Sequence, residues 1–258
     1  MSSTLLNSSH TEHQLSHHEN KLIVLWSITN LIVVMNTTMF NIAVPFVLED
    51  FALSSSTASW LVSGYSIMFA ISTLTFSRLS DFVPLSRLLI YGISLLGIAS
   101  VIGFFAHHFF VLLLARIVQA AGAGSVMGLS MVLTGRYIPF ERRGKAMAMI
   151  ASSAALAFGL GPVLGGIITE YLGWPYLFVV TGLSMLSLPL FLKWLPKERT
   201  EKGTFDVIGA LLTGLSVTGL ILYLSTFSIY LLLATVLLFI AWWFYLQHVD
   251  KPFIPPTL

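Results

Sequence analysis

The sequence predicts an all-α integral membrane fold, a bundle of six transmembrane helices followed by two more. Three observations predict it. Only 9% of the 258 residues are charged and 56% are hydrophobic. A soluble domain carries about 25% charged residues, so this chain cannot cover a water-facing surface. Apolar stretches of about 20 residues, the length that crosses a bilayer, recur along the chain. The basic residues gather in alternate connections between those stretches. In lipid a helix satisfies its own backbone polar groups, so helices are the natural reading. The chain has no cysteine, which excludes disulfides, thiolate metal sites and cysteine nucleophiles.

Taken in order, residues 1–21 form a polar cytoplasmic tail without the apolar core of a signal peptide. The tail holds His10, His13, His17 and His18. Nothing in the segment fixes these as ligands, so it reads as a solvated tail and not as a metal site. Eight spans follow, over residues 22–48, 58–76, 88–106, 109–135, 145–169, 174–195, 207–225 and 228–247. The first six make a bundle over 22–195. The segment 196–206 (PKERTEKGTFD) is the most polar interior stretch and reads as a cytoplasmic linker. Two additional helices occupy 207–247. The Pro-rich end, 248–258, reads as the lead-in to a missing second half. The tightest turns lie at His107 and His108 and at Thr226, and merging one of them would give seven spans.

Lys and Arg set the orientation. With the N-terminus in the cytoplasm, Lys21, Arg78, Arg87, Arg136, Arg142, Arg143, Lys145, Lys193, Lys197, Arg199, Lys202 and Lys251 all fall on the inner side. The odd-numbered connections offer Glu49, Asp50 and Glu170 instead. Dropping a span would scramble this pattern. The remaining basic residue, Arg116, lies inside a span.

Four features carry candidate chemistry. A charge within the hydrocarbon region is costly and usually faces the bundle interior or a water-filled cavity. Arg116 is such a charge, with Gln119 one turn on and Gly122 and Gly124 beyond. The bland alternative is an arginine snorkelling to the interface. The second feature is AFGLGPVLGG, where Gly161 and Gly165 form a small-xxx-small pair and Pro162 interrupts the helical hydrogen bonding. The third is MNTTMFNIAVP, where Asn36, Thr37, Thr38 and Asn41 serve equally as substrate contacts or interhelical glue. The fourth is the pair of basic connections, with Arg78, Asp81 and Arg87 in one and Glu141, Arg142, Arg143 and Lys145 in the other. Positive-inside anchoring explains the basic residues there but not Asp81. The sequence has no Walker-type glycine loop, zinc spacing or nucleophile elbow, so neither an enzyme, a nucleic-acid binder nor a bound cofactor is expected.

Together these segments resemble the drug:proton antiporters of the major facilitator superfamily, in particular the fourteen-helix group that includes tetracycline and multidrug exporters. Residues 35–45 resemble the first-helix motif, with Asn36 where the family usually has Asp. Residues 77–89 resemble the loop between the second and third helices, with Asp81 and Arg87 in place and Ser77 and Pro84 at the usual glycines. Residues 112–124 resemble the fourth-helix motif, whose arginine, here Arg116, the family ties to proton coupling. Residues 159–166 resemble the fifth-helix antiporter motif, with Gly159, Gly161, Pro162, Gly165 and Gly166, and with Phe158 where tetracycline exporters tend to be acidic.

The resemblance implies proton-coupled efflux of a small-molecule drug across a bacterial plasma membrane. Arg116 would couple protons to transport and Asn36, Asn41 and Gln119 would line the substrate path. Asp81 and Arg87 would latch the cytoplasmic loop, and a second six-helix half would complete the transporter. A nutrient transporter of the same superfamily and a nontransporting truncated membrane protein are the alternatives.

Overall fold

The computed structural model describes residues 2–195, 206–226 and 228–248, with the side chains of residues 2–18, 207, 210, 221, 222, 224–226, 246 and 248 excepted. The linker, the Pro-rich end and the side chains of His10, His13, His17 and His18 lie outside the described residues. Every described element is helical: α1 (Ser2–Asp50), α2 (Ser55–Ala58), α3 (Trp60–Leu79), α4 (Leu85–Phe104), α5 (Phe109–Tyr137), α6 (Phe140–Tyr171), α7 (Tyr176–Gly182), a 3-10 turn (Leu183–Ser187), α8 (Leu188–Trp194), α9 (Val207–Thr226) and α10 (Ile229–His248). Six spans over residues 19–194 are long and apolar enough to cross a membrane. α9 and α10 follow as two further apolar helices of 20 residues each, with shorter apolar stretches over Leu211–Leu220 and Ile229–Tyr245.

The elements depart from the sequence expectation in four places. The backbone of the polar tail is not a separate coil but continues α1 back to Ser2. The second span is entered through the single turn α2, whose Ser54 cap accepts from the Thr57 amide. α6 starts at Phe140, five residues before the expected boundary, so Glu141, Arg142, Arg143 and Lys145 belong to its first turns and not to a loop. Pro139 sets that start, because proline lacks only a hydrogen that the first turn leaves unpaired. The sixth span is three pieces, since Pro189 cannot donate to the preceding turn and the chain tightens to 3-10 ahead of it.

Packing follows a repeated scheme. α3 packs on α5 and α6 on α1, α4 packs on α5, and the sixth-span pieces pack on α1 and α4. These pairs exchange when spans one to three are swapped with spans four to six, the pattern that two related three-helix units produce. α9 packs on α3 and α10 on α9. There Trp242 Nε1 donates to Thr213 Oγ1 at 2.9 Å and Tyr245 donates to Asp206 at 2.7 Å.

Cross-helix contacts place the basic residues at one end. Arg142 reaches Glu19 at 2.7 Å and Asn20 at 2.9 Å, Lys21 sits over the Trp194 ring, and Arg136 bonds Ser80 and Asp81. At the other end Trp174 Nε1 donates to Asp50 at 2.6 Å. There Gly173, at φ +96°, ends α6 in a backbone region that glycine enters without steric cost.

Two large apolar clusters and a small third one of Ile23, Ile138 and Ala146 fill the six-span bundle. One of the large clusters, toward the basic end, includes Trp26, Leu88, Leu96, Ala120, Leu129 and Phe191. The other, toward the acidic end, includes Met39, Phe40, Leu61, Ala106, Leu112 and Phe178. On α4 the boundary between them falls near Ser100, and on α5 it falls across Arg116 and Gln119.

Candidate functional site

Arg116 sits at that boundary. It projects from α5 and is 1% exposed, which excludes a snorkelling side chain. One terminal nitrogen donates to Asn36 Oδ1 of α1 at 2.6 Å and to Gln119 Oε1 one turn along α5 at 2.7 Å. Gln119 in turn donates to Ser100 Oγ of α4 at 3.1 Å, and Ser100 donates to the Leu96 carbonyl. Two aromatic rings approach the guanidinium, Phe40 of α1 at 3.9 Å and Tyr65 of α3 at 4.1 Å. Thr37 donates to the Tyr65 hydroxyl at 3.2 Å, which fixes that ring.

The cluster thus joins four helices around one cation, and every partner it has is neutral. Desolvated cation–π contacts are worth about 2 kcal/mol each, and hydrogen bonds to a charged group about 1.5–3. These offset the cost of burying the charge without a carboxylate. Arg116 Nε and Asn36 Nδ2 are left without a partner among the described residues.

The glycine motif of α6 forms a seam with α1. A methyl group on Gly165 would lie 2.7 Å from Met39 Cα, and one on Gly161 would overlap Thr38 Oγ1. Thr38 also donates to the Ala157 carbonyl at 3.2 Å. Gly159 and Gly166 lie on another face, with nothing near the position of an added methyl. Toward the basic end Asn30 extends the seam by donating to Ser153 Oγ at 3.0 Å and to the Ile150 carbonyl at 3.3 Å. α5 has its own close approaches. Gly122 faces Gly92 and Leu96 of α4, while Gly124 and Gly128 face Phe69, Ser72 and Thr73 of α3. A two-residue step turns about 200° around a helix, so Gly122 and Gly124 open α5 toward different neighbours.

The family model described as Major Facilitator Superfamily matches residues 26–250. The chain belongs to the major facilitator superfamily. Among relatives of this facilitator chain, the riboflavin transporter RibZ of Clostridioides difficile (strain 630) is 30% identical over 181 residues, covering 69% of this chain and 40% of the relative. The lincomycin resistance protein of Streptomyces lincolnensis is 27% identical over 197 residues, covering 74% of this chain and 40% of the relative. The facilitator chain therefore spans about two fifths of the length of the curated relatives it matches. Its fold resembles the inward-facing, unoccupied structure of a bacterial homologue of the human lysosomal transporter Spinster. There the TM-score is 0.59 at 13% identity, over 81% of this chain and 55% of that one.

The other expected site residues of this facilitator chain are dispersed. Asn41 is exposed and borders a groove of about 550 Å³ between α1 and the start of the second span, with Glu49, Ser55, Ser59 and Ser63. It stands apart from Asn36 and Gln119, which are sealed around Arg116. Asp81 and Arg87, the expected loop latch, have separate surroundings. Asp81 pairs with Arg136 at 2.9 Å and with Arg78 at 3.2 Å, while Arg87 is exposed and has no ion-pair partner among the described residues. Arg143 caps the end of α5 by donating to the Ile138 and Gly135 carbonyls.

Phe40, Tyr65, Ser100, Asn30 and Arg136 were not singled out by the sequence. Only the isolated polarity of Asn30, Tyr65 and Ser100 inside apolar spans could have flagged them.

Proposed function

We propose that this chain forms the N-terminal part of a proton-coupled exporter of drugs in a bacterial plasma membrane, with its N-terminus and its basic end in the cytoplasm. The observation that carries the reading is the α1–α6 seam. The glycines that resemble the antiporter motif bring the two helices to backbone distance at Gly161 and Gly165. The kinship with a lincomycin resistance protein supports efflux, and the run of basic residues at one end supports the orientation.

In this reading substrate binds between this bundle and a second half, and the two halves rock to alternate access. Arg116, held by Asn36 and Gln119, links protonation to substrate release. The acidic residues of the described spans stand at span ends, so the proton is carried either at Glu170, near the end of α6, or by a carboxylate in the rest of the transporter. The test is drug accumulation in cells expressing the complete gene, with and without a protonophore. Exclusion of drug that the protonophore abolishes, and that Arg116→Ala abolishes at normal expression, is expected. Retained resistance in the Arg116→Ala variant refutes the coupling role.

A second reading, a metabolite transporter of the same superfamily, is favoured by the kinship with a riboflavin transporter. Uptake of substrate in place of exclusion would select it.

A further inference from the structure

The core of the six-span bundle carries one formal charge at Arg116, and no carboxylate is bonded to it among the described residues. Arginine keeps its proton inside proteins, and Arg116 is bonded only to the amides of Asn36 and Gln119 and flanked by the rings of Phe40 and Tyr65. The acids nearest along α1 are Glu49 and Asp50, at the helix end. Thirteen or more residues of helix separate them from Asn36, about 20 Å at 1.5 Å per residue. At that range a solvated carboxylate compensates little of a charge buried in the bundle.

We propose that Asn36 is a specificity-determining residue. By answering Arg116 with an amide and not a carboxylate, it leaves this half positive and sets the transporter against cationic substrates and toward anionic or neutral ones. This rests on the transport reading above and adds the charge class of the cargo. No substrate atom has to touch Arg116, which is sealed, because the field acts through the low-dielectric interior. At about 10 Å and an effective dielectric of about 20, a unit charge is favoured or disfavoured by a factor of roughly 15. Asn36 is the lever because its Oδ1 lies 2.6 Å from the guanidinium. A carboxylate of the same shape would form a charge-assisted pair there and cancel the field.

The test is equilibrium binding of two dyes of matched size, an anionic fluorescein and a cationic rhodamine, to the purified complete transporter in discs of uncharged lipid, read by fluorescence polarisation. Charges elsewhere in the transporter are common to all variants and cancel in the comparison. Asn36→Asp is expected to weaken the anion and strengthen the cation by roughly 15-fold each, so that the ratio of the two affinities shifts toward the cation by on the order of 200-fold. Gln119→Glu, which places a carboxylate at the other amide, 2.7 Å from the same nitrogen, is expected to shift it in the same direction. Thermal unfolding identifies a variant that has lost its fold, and the other variant then decides.

A ratio that stays within twofold in the folded variants overturns the proposal, as does binding of neither dye by any variant. Failure of the efflux reading is recorded separately, as transport indifferent to a proton gradient, because binding requires no gradient.

Discussion

Replacing Gly165 with alanine isolates the α1–α6 seam. The added methyl would meet Met39 Cα at 2.7 Å and the Met39 carbonyl oxygen at 2.9 Å. Ordinary contact begins at 3.4 Å, so the helices must part locally by about 0.7 Å. The obstructing atoms are backbone, so no rotamer change relieves the clash. Overpacking of this kind costs about 1–3 kcal/mol. Alanine also regains about 1 kcal/mol of helix propensity, which complicates the reading of a single variant.

Gly166→Ala removes that complication. It gains the same propensity on the same helix and meets nothing. The difference between the two variants, about 1–3 kcal/mol, is therefore the cost of the contact alone. At about 2–4 °C per kcal/mol for a protein of this size, Gly165→Ala is expected to melt several degrees below Gly166→Ala. The assay is thermal unfolding of the purified protein in one detergent. Equal melting of the two variants would refute the argument that backbone proximity at Gly165 holds the seam.

Two further outcomes are expected. Asp81→Asn removes the carboxylate between Arg136 and Arg78, whose side chains are about one third exposed, so thermal stability should fall by no more than about 1 kcal/mol. If the cluster latches one conformation, transport by the complete protein should fall far more than that stability change implies, and unchanged transport would leave Asp81 as an anchor only. Trp174→Phe keeps an aromatic ring but removes the 2.6 Å bond to Asp50 together with part of the buried indole, and unfolding measurements should record a loss of at least about 1.5–3 kcal/mol, since that bond has a charged acceptor. An unchanged melting temperature would show that water replaces the indole at no cost.

The spans were legible in the sequence because crossing a bilayer demands length and apolarity together, and each leaves a one-dimensional mark. The basic end was legible for a similar reason, since Lys and Arg alternate by connection. Helix boundaries were less so. Pro139 and Pro189 had the right chemistry to start α6 and to break the sixth span, yet hydropathy runs smoothly across both. Arg116 and Gln119 could be paired because they share one helix at a three-residue spacing. Asn36 could be singled out but not joined to them, since 80 residues separate it from Arg116 and only the packing of α1 beside α5 brings them to 2.6 Å. The partners of Asp81 show the same limit. The sequence named no partner for Asp81, and only the end of α5 beside the second connection brings Arg136 to it.

The glycines and the buried arginine belong to one physical argument. α1 meets α6 at backbone distance through Gly161 and Gly165, and α5 meets α3 and α4 in the same way through Gly122, Gly124 and Gly128. Helices in lipid gain little from burying apolar side chains against one another, so close backbone approach is what holds them. The α5 contacts fix its separation from α3 and α4, which supply Tyr65 and Ser100 beside Arg116, while α1 is held against α6 and meets Arg116 through Asn36 and Phe40. A guanidinium stabilised by two amides and two rings tolerates little change in that separation, because its bonds are short and it has no carboxylate to fall back on. The same contacts that hold the bundle therefore keep the charge in place.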